Sequence, residues 1–175
     1  MSDQFSHTKN ELQSLVQDML DYAKQQGATA SAAEASEGMG QSVTVRKGEV
    51  ETIEYNRDKG IGVTVYIGKR RGNASTSDFS RQALLDTVDK ALTIARYTAE
   101  DEFAGLPDAD RMATVFPELD LFHPWTQSID DAIAMAGACE AAALAADKRV
   151  SNSEGGSVNT QHSLFVYGNS LGFSA

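Results

Sequence analysis

The strongest constraint on the fold of this chain is a run of alternating apolar residues at positions 61 to 67. Apolar side chains occupy every second position, and glycine or more polar residues lie between them. A period of two residues is typical of a β-strand with one buried face. The apolar positions are Ile61, Val63, Val65 and Ile67, and the others are Gly62, Thr64 and Tyr66. The pattern therefore predicts a half-buried strand whose apolar face must be covered.

The neighbouring segments predict an antiparallel meander of short strands between residues 42 and 77. Val43 and Val45 alternate with polar residues in a first strand, and Ile53 and Tyr55 do so in a second. Polar, glycine-containing segments favour chain reversal between the strands. The predicted turns are residues 46–49, 56–60 and 68–72, and the last strand of the meander is residues 73–77. A strand at about residues 32–37 is predicted to lead into the meander.

Three segments predict helices that flank this sheet. Thr8 with Glu11 is a capping-box pattern before a stripe of apolar residues at helical spacing. Ser80 can cap a second helix, and Ser128 with Asp131 opens an alanine-rich third helix from Ile129 to about Asp147. The predicted fold class is therefore α+β, an antiparallel or mixed β-sheet with flanking α-helices.

Residues 98–124 form a long acidic connection that is broken by Pro107 and Pro117 and ends at Pro124. A structureless linker does not normally hold many aromatic residues, so we expect this connection to pack on the surface. The residues expected to hold it there are Phe103, Leu106, Phe116, Leu121, Phe122 and Trp125.

The C-terminal part returns to strand-like sequence, with a strand predicted at residues 149–154, a turn at Gly155–Gly156 and another strand at residues 163–167. No cap or charged run closes the sequence at Ala175, which gives it the look of a truncated chain. The predicted domains are a flexible N-terminus (1–8), an α/β domain (9–147) and the start of a following β-rich region (148–175).

The composition limits the classes of partner. The chain has 175 residues, a net charge of −10 and a pI near 4.7, which argue against a protein that binds a nucleic-acid backbone. The basic run at residues 69–71 is interpreted as a solvated hairpin tip. No signal peptide and no apolar run of membrane-spanning length is visible, and we expect a soluble, cytoplasmic protein.

The search for a catalytic or metal motif is negative. The three histidines, His7, His123 and His162, are far apart in the sequence and form no close ligand pair. His123 is expected to pack within its loop, and His162 to lie at the surface or edge of a strand. The single cysteine, Cys139, is interpreted as a small buried side chain. From its residues alone, the chain is an α+β domain without a complete active site.

Several polar and aromatic side chains are candidates for contact with a peptide or a partner protein. Charged residues on neighbouring strands favour structural cross-strand pairs, and a binding surface is the alternative interpretation. Exposed tyrosine and tryptophan are common at interfaces. The candidate residues are Arg46, Glu51, Glu54, Arg57, Tyr66 and Trp125.

Several motifs, in order along the chain, resemble the TldD/PmbA family of bacterial metalloprotease proteins, from about Leu12 onward. Three form an N-terminal signature, namely V-R-x-G-x-V-E at 45–51, G-x-G-V-T-V at 60–65 and G-x-A-S-T-S-D at 72–78. Two later runs resemble the PmbA (TldE) branch, namely E-L-D-L-F-H-P at 118–124 and D-K-R-V-S-N-S-E-G-G-S at 147–157.

The resemblance implies a part of a two-protein, cytoplasmic protease that cleaves peptides, including a microcin leader and an unfolded antitoxin. In this family the TldD subunit carries the zinc site, and PmbA is the partner that lacks the zinc motif. The expected partners are thus a TldD-like subunit and an unfolded peptide, with no nucleic acid and no membrane. No cofactor and no catalytic residue is expected in this chain.

Three functional hypotheses follow. In the first, the domain helps to wall a chamber for unfolded peptide, and its sheet edge pairs with that peptide by strand addition. In the second, it is an assembly module whose alanine-rich helix and the loop at Phe122–Trp125 dock a partner without touching peptide. In the third, suggested by an older family label, it modulates DNA gyrase, which the acidic charge disfavours.

Overall fold

The computed structural model describes residues 5–175 and contains three α-helices and four β-strands within that range. The strands form one sheet in the order β3-β2-β1-β4, and this architecture confirms the predicted α+β fold. The elements are α1 (Lys9–Gln25), β1 (Ala30–Arg46), β2 (Glu49–Ile67), β3 (Arg70–Thr76), α2 (Arg81–Tyr97), a 3₁₀ turn (Ala109–Arg111), α3 (Ile129–Ala146) and β4 (Gly156–Asn169).

The chain forms two compact units, and β1, β2 and β4 each contribute residues to both. The first unit contains the described residues up to Glu37, residues 59–118 and residues 164–175. The second unit contains residues 38–58 and 119–163. The two units differ from the predicted domains, which are the contiguous ranges 1–8, 9–147 and 148–175, and these domain boundaries stay a prediction. Residues 1–4 lie outside the described part of the chain.

The core of the first unit confirms the predicted apolar face. Ile61, Val63 and Val65 are almost completely buried against the apolar stripes of α1 and α2. Burial of such side chains contributes about 1.5–3 kcal/mol each relative to full exposure. The helical residues of this core include Leu12, Val16, Met19, Leu84, Val88 and Leu92.

Local hydrogen bonds fix the start of both helices in the first unit as the sequence predicts. The Thr8 hydroxyl accepts a hydrogen bond from the Glu11 backbone N–H at 3.2 Å, and the Glu11 carboxylate accepts one from the Thr8 N–H at 2.7 Å. Ser80 caps α2 through Ala83. These side chains satisfy N–H groups that have no partner within the helix.

A glycine on β3 allows α2 to approach the sheet closely. Gly72 pairs with Val65 on β2, and a methyl group at Gly72 would collide with the carbonyl group of Ala91 and lie 2.5 Å from the backbone nitrogen of Ala95. The small residue is therefore required by the packing of α2 on β3.

A buried carboxylate on β1 holds the segment before α1. Glu37 is 4% exposed and accepts hydrogen bonds from the backbone N–H of Ser6, at 2.7 Å, and from His7. Burial alone would raise the pKa of Glu37, but the hydrogen bonds from His7 and Ser6 outweigh it and lower the pKa.

Two predictions of turns and strands were wrong. Residues 56–60 form no turn, because β2 runs without interruption from Glu49 to Ile67. Residues 149–154 form no strand, whereas the strand predicted at residues 32–37 is confirmed as part of the longer β1. Pairing with β1 supplies backbone hydrogen bonds at alternate residues, which outweighs the local turn preference of residues 56–60.

Three predictions of burial were also wrong. Phe103 and Leu121 are 87% and 80% exposed, so the connection is not packed by all of its apolar residues. His123 is mainly exposed, and its Nε2 lies within hydrogen-bond distance of the Asp120 carbonyl in the same loop; Cys139 is exposed on α3. Alanine neighbours give α3 no amphipathic pattern, so the sequence did not indicate on which side Cys139 lies.

Candidate functional site

One edge of β2 is open within the second unit. β3 pairs only with residues 61–67 of β2, so Glu49–Asp58 has β1 on one side and no described strand on the other. All ten residues of this segment are exposed. We call Glu49–Asp58 the open edge. A strand edge of this kind presents backbone N–H and C=O groups that can pair with another extended chain.

The start of the open edge is held by a tight turn and a buried carboxylate. Lys47 and Gly48 have φ values of 56° and 78°, as the two central residues of a type I′ hairpin turn require. The carboxylate of Glu140 on α3 accepts hydrogen bonds from both backbone N–H groups, at 2.9 Å and 3.0 Å. These two hydrogen bonds lower the pKa of Glu140, although the side chain is only 3% exposed.

Small residues bring α3 close to the strands of the second unit. A methyl group at Gly137 would lie 3.7 Å from Val45, and one at Gly156 would collide with the Ala136 carbonyl group. Ser128 and Asp131 form the predicted capping box at the start of α3. The helix is thereby fixed where Glu140 reaches the hairpin turn.

Arg46 and Glu51 form the cross-strand pair that the sequence suggested as structural. The guanidinium of Arg46 lies 3.5 Å from Glu51 and 3.6 Å from Glu154, and its Nε donates to the Ser153 carbonyl at 3.2 Å. These are partly exposed pairs of modest energy. Glu54 lies exposed on the open edge.

Arg57 and Trp125 line one cavity of about 300 Å³ in the second unit. β1, β2, β4 and the segment before α3 each contribute residues to its wall. The lining residues are Met39, Gly40, Gln41, Tyr55, Asn56, Arg57, Trp125, Gln127, Thr160 and His162. Tyr66, the remaining candidate, lies in the first unit, where it is 9% exposed and its carbonyl group accepts from Thr29.

The cavity wall contains hydrogen-bond donors without partners. Trp125 Nε1 and Gln41 Nε2 are buried, and neither has a hydrogen-bond partner among residues 5–175. The Trp125 backbone N–H donates to His162 Nε2 at 3.1 Å, and the Phe122 ring stands edge-on to the imidazole at 5.9 Å. Because Nε2 accepts this bond, the neutral imidazole carries its proton on Nδ1.

The sequence did not single out Gln41, His162 or Glu140 for these roles. Gln41 and His162 lie in the cavity wall only because strands that are distant in the sequence are neighbours in the sheet. The sequence does contain one indication of the role of Glu140, because it is the single charged residue between Ala132 and Ala146. A lone charge in an alanine-rich helix indicates a specific partner.

The residues present do not fit a zinc site. Within residues 5–175 no three His, Cys, Asp or Glu side chains are grouped so that they could hold a metal ion. In the same part of the chain, no helix combines the length and the apolar character needed to cross a membrane.

Two family models match the chain. The model described as PmbA/TldA metallopeptidase domain 1 matches residues 34–95, and the model of the PmbA/TldA metallopeptidase central domain matches residues 122–175. The first match contains the open edge and the second contains α3.

Curated relatives with the same family name are similar over most of the chain. Metalloprotease PmbA of Escherichia coli O157:H7 is 50% identical over 137 residues, which are 78% of this chain and 30% of the relative. The Metalloprotease PmbA homolog of Haemophilus influenzae is 42% identical over 164 residues, 94% of this chain and 36% of the relative. The chain thus spans about a third of the length of these relatives.

Solved structures share the fold. A Bacteroides thetaiotaomicron protein, whose name describes it as a candidate modulator of DNA gyrase, superposes with a TM-score of 0.79 at 25% identity, over 98% of this chain and 39% of its own. TldE from Thermococcus kodakarensis superposes with a TM-score of 0.71 at 15% identity, over 92% of this chain and 36% of its own. The second likeness is one of fold alone.

Proposed function

Because the chain belongs to the PmbA/TldD metallopeptidase family, we propose that it serves a TldD/TldE-type metalloprotease as the TldE-type partner and receives an extended peptide along the open edge. The observation that carries this proposal is the ten-residue stretch of β2 that is exposed and unpaired on one side. The chain acts in the cytoplasm and supplies binding rather than bond cleavage.

An extended peptide suits this edge for a physical reason. An extended peptide offers its backbone N–H and C=O groups in the spacing that a β-strand needs, whereas a folded protein can do so only through an exposed edge strand of its own. The fixed hairpin turn at Lys47–Gly48 keeps the edge extended before the peptide arrives, which reduces the entropy lost on binding.

The charge of the open edge favours some peptides over others. Its sequence has four carboxylates and one guanidinium, on Glu49, Glu51, Glu54, Asp58 and Arg57. We therefore expect neutral or basic segments to bind better than acidic ones along the edge, and added salt to weaken this preference.

In this proposal zinc belongs to a TldD-like subunit and supplies the activation of water and of the scissile carbonyl. The residues of this chain hold the peptide extended and present it. Candidate substrates implied by the family are a microcin leader and an unfolded antitoxin.

The test uses N-methylated peptides. A hexapeptide of alternating valine and threonine is methylated at alternate backbone nitrogens or at all of them, and its binding is measured by calorimetry. Alternate methylation leaves the N–H groups of one strand edge free, so strand addition predicts that this peptide still binds and that methylation of every nitrogen abolishes binding. Binding that survives methylation of every nitrogen would contradict the proposal.

A second candidate function is assembly without peptide contact, which the exposed apolar residues Leu119 and Leu121 favour. Leu121→Ser would then release a TldD-like subunit in sedimentation and leave peptide binding unchanged. Modulation of DNA gyrase has support only from the names of two structural relatives, and binding to DNA that weakens with salt would favour it.

A further inference from the structure

The cavity beside Arg57 has a donor-rich wall. Trp125 Nε1–H can only donate, and Gln41 offers a buried amide N–H₂ without a partner. Arg57 adds a guanidinium with five N–H groups to the same wall, and none of the ten lining residues is an Asp or Glu. The wall is therefore suited to a group that only accepts hydrogen bonds.

The two unpaired donors favour an acceptor group as the occupant of the cavity. A buried N–H without a hydrogen-bond partner is destabilising, and buried polar groups nearly always have a partner. Both nitrogens are buried from solvent, so the Trp125 and Gln41 side chains have to shift when an acceptor enters the cavity. The Trp125 backbone stays fixed by the hydrogen bond to His162.

The cavity and the open edge share β2. Tyr55, Asn56 and Arg57 lie in the open edge and also line the cavity. A peptide paired with the edge therefore passes the cavity mouth at these residues. A volume of about 300 Å³ accommodates the end of a peptide or one acidic side chain.

We infer that the cavity is a subsite for a carboxylate of the bound peptide, with Trp125, Gln41 and Arg57 as its hydrogen-bond donors. This inference rests on the proposed function and deepens it. The carboxylate comes either from the C-terminus of the peptide or from an Asp or Glu side chain. The acidic open edge still favours neutral or basic residues elsewhere in the peptide.

The test compares three forms of one unmethylated valine–threonine hexapeptide. The first has a free C-terminal carboxylate, the second a C-terminal amide, and the third the amide with one internal Glu. Trp125 is the only tryptophan in the chain, so its fluorescence and its indole N–H resonance report directly on the cavity.

We expect a carboxylate-bearing form to bind about tenfold or more tightly than the plain amide, the ratio that one charge-assisted hydrogen bond supplies. The indole N–H resonance should move downfield in that complex only. A gain with the free C-terminus identifies the peptide end, and a gain with internal Glu identifies a side chain.

Two variants check the donors. Trp125→Phe keeps the aromatic ring but removes the indole N–H, and it should abolish the advantage of the carboxylate while the plain amide still binds. Tyr97→Phe removes a polar group from a ring that is 88% exposed in the first unit, and it should change nothing.

Two outcomes would overturn the inference in different ways. Equal affinity of all three peptides, with an unmoved indole resonance, would remove the carboxylate subsite and leave strand addition intact. Failure of all three peptides to bind would overturn both the subsite and the proposed function.

Discussion

The Glu140 carboxylate lies 3.0 Å from the backbone nitrogen of Gly48, and its other oxygen lies 2.9 Å from that of Lys47. One side chain of α3 thereby satisfies both N–H groups of the β1–β2 turn. A carboxylate is suited to this role because it offers two acceptor oxygens and no donor. The contact links the helix to the start of the open edge.

Replacement of Glu140 by Gln should destabilise the second unit. The amide keeps one acceptor oxygen but turns its N–H₂ group toward a backbone N–H, so one hydrogen bond becomes a repulsion. We expect Tm to fall by a few degrees, measured by circular dichroism at neutral pH. Glu49→Gln, at an exposed residue next to the turn, is the matched control and should leave Tm unchanged.

The effect of Glu140→Gln should depend on pH. The pKa of Glu140 is lowered from its ordinary value of 4.5, so the carboxylate stabilises the folded state above that pH and loses this contribution as the pH falls through the folded value. The Tm difference from the natural chain should therefore be largest at neutral pH and shrink below pH 4.5. A difference that is constant across this range would show that the charge is irrelevant.

Ser128→Ala should shorten or loosen the first turn of α3. The serine hydroxyl accepts from the Asp131 backbone N–H at 3.1 Å, and such caps contribute about 1 kcal/mol. Chemical denaturation should show a loss of this size. Ser128→Asp, which also caps, should restore most of it, and an equal loss with both variants would exclude capping as the cause.

Gly72→Ala tests the close packing of α2 on β3. A methyl group has no room between Gly72 and the backbone of Ala91 and Ala95, and we expect a loss of about 1–3 kcal/mol in the free energy of unfolding. Gly60→Ala is the control, because nothing lies within 4 Å of the added methyl group. Equal stability of the two variants would contradict the packing shown here.

The metal prediction concerns the isolated chain. Residues 5–175 offer no group of three potential ligands, so we expect no stoichiometric zinc after purification and dialysis, measured by elemental analysis. Cleavage of peptide should appear only on mixing with a zinc-containing TldD-like subunit. One zinc per chain, or cleavage by the chain alone, would contradict the assignment of a partner role.

Local patterns in the sequence predicted local structure well. Thr8 with Glu11 and Ser128 with Asp131 lie within one helical turn, and so their hydrogen bonds depend on few other residues. The alternation at residues 61–67 predicted the buried face, because the alternation is a direct consequence of strand geometry.

Features that depend on distant residues were not predictable in this way. Residues 56–60 contain Asn, Asp and Gly and favour a turn, yet pairing with β1 keeps them extended. The cavity joins Gln41, Trp125 and His162 from three separate segments. The role of Glu140 likewise depends on the position of a hairpin 92 residues earlier in the chain.

The measurement that tests the central claim most directly is amide hydrogen exchange of the chain with and without a bound valine–threonine hexapeptide. Strand addition predicts slower exchange at every second amide of Glu49–Asp58, since alternate N–H groups of β2 face the open side. Unchanged exchange throughout this segment, with protection elsewhere or nowhere, would contradict the claim that the open edge of β2 receives the peptide.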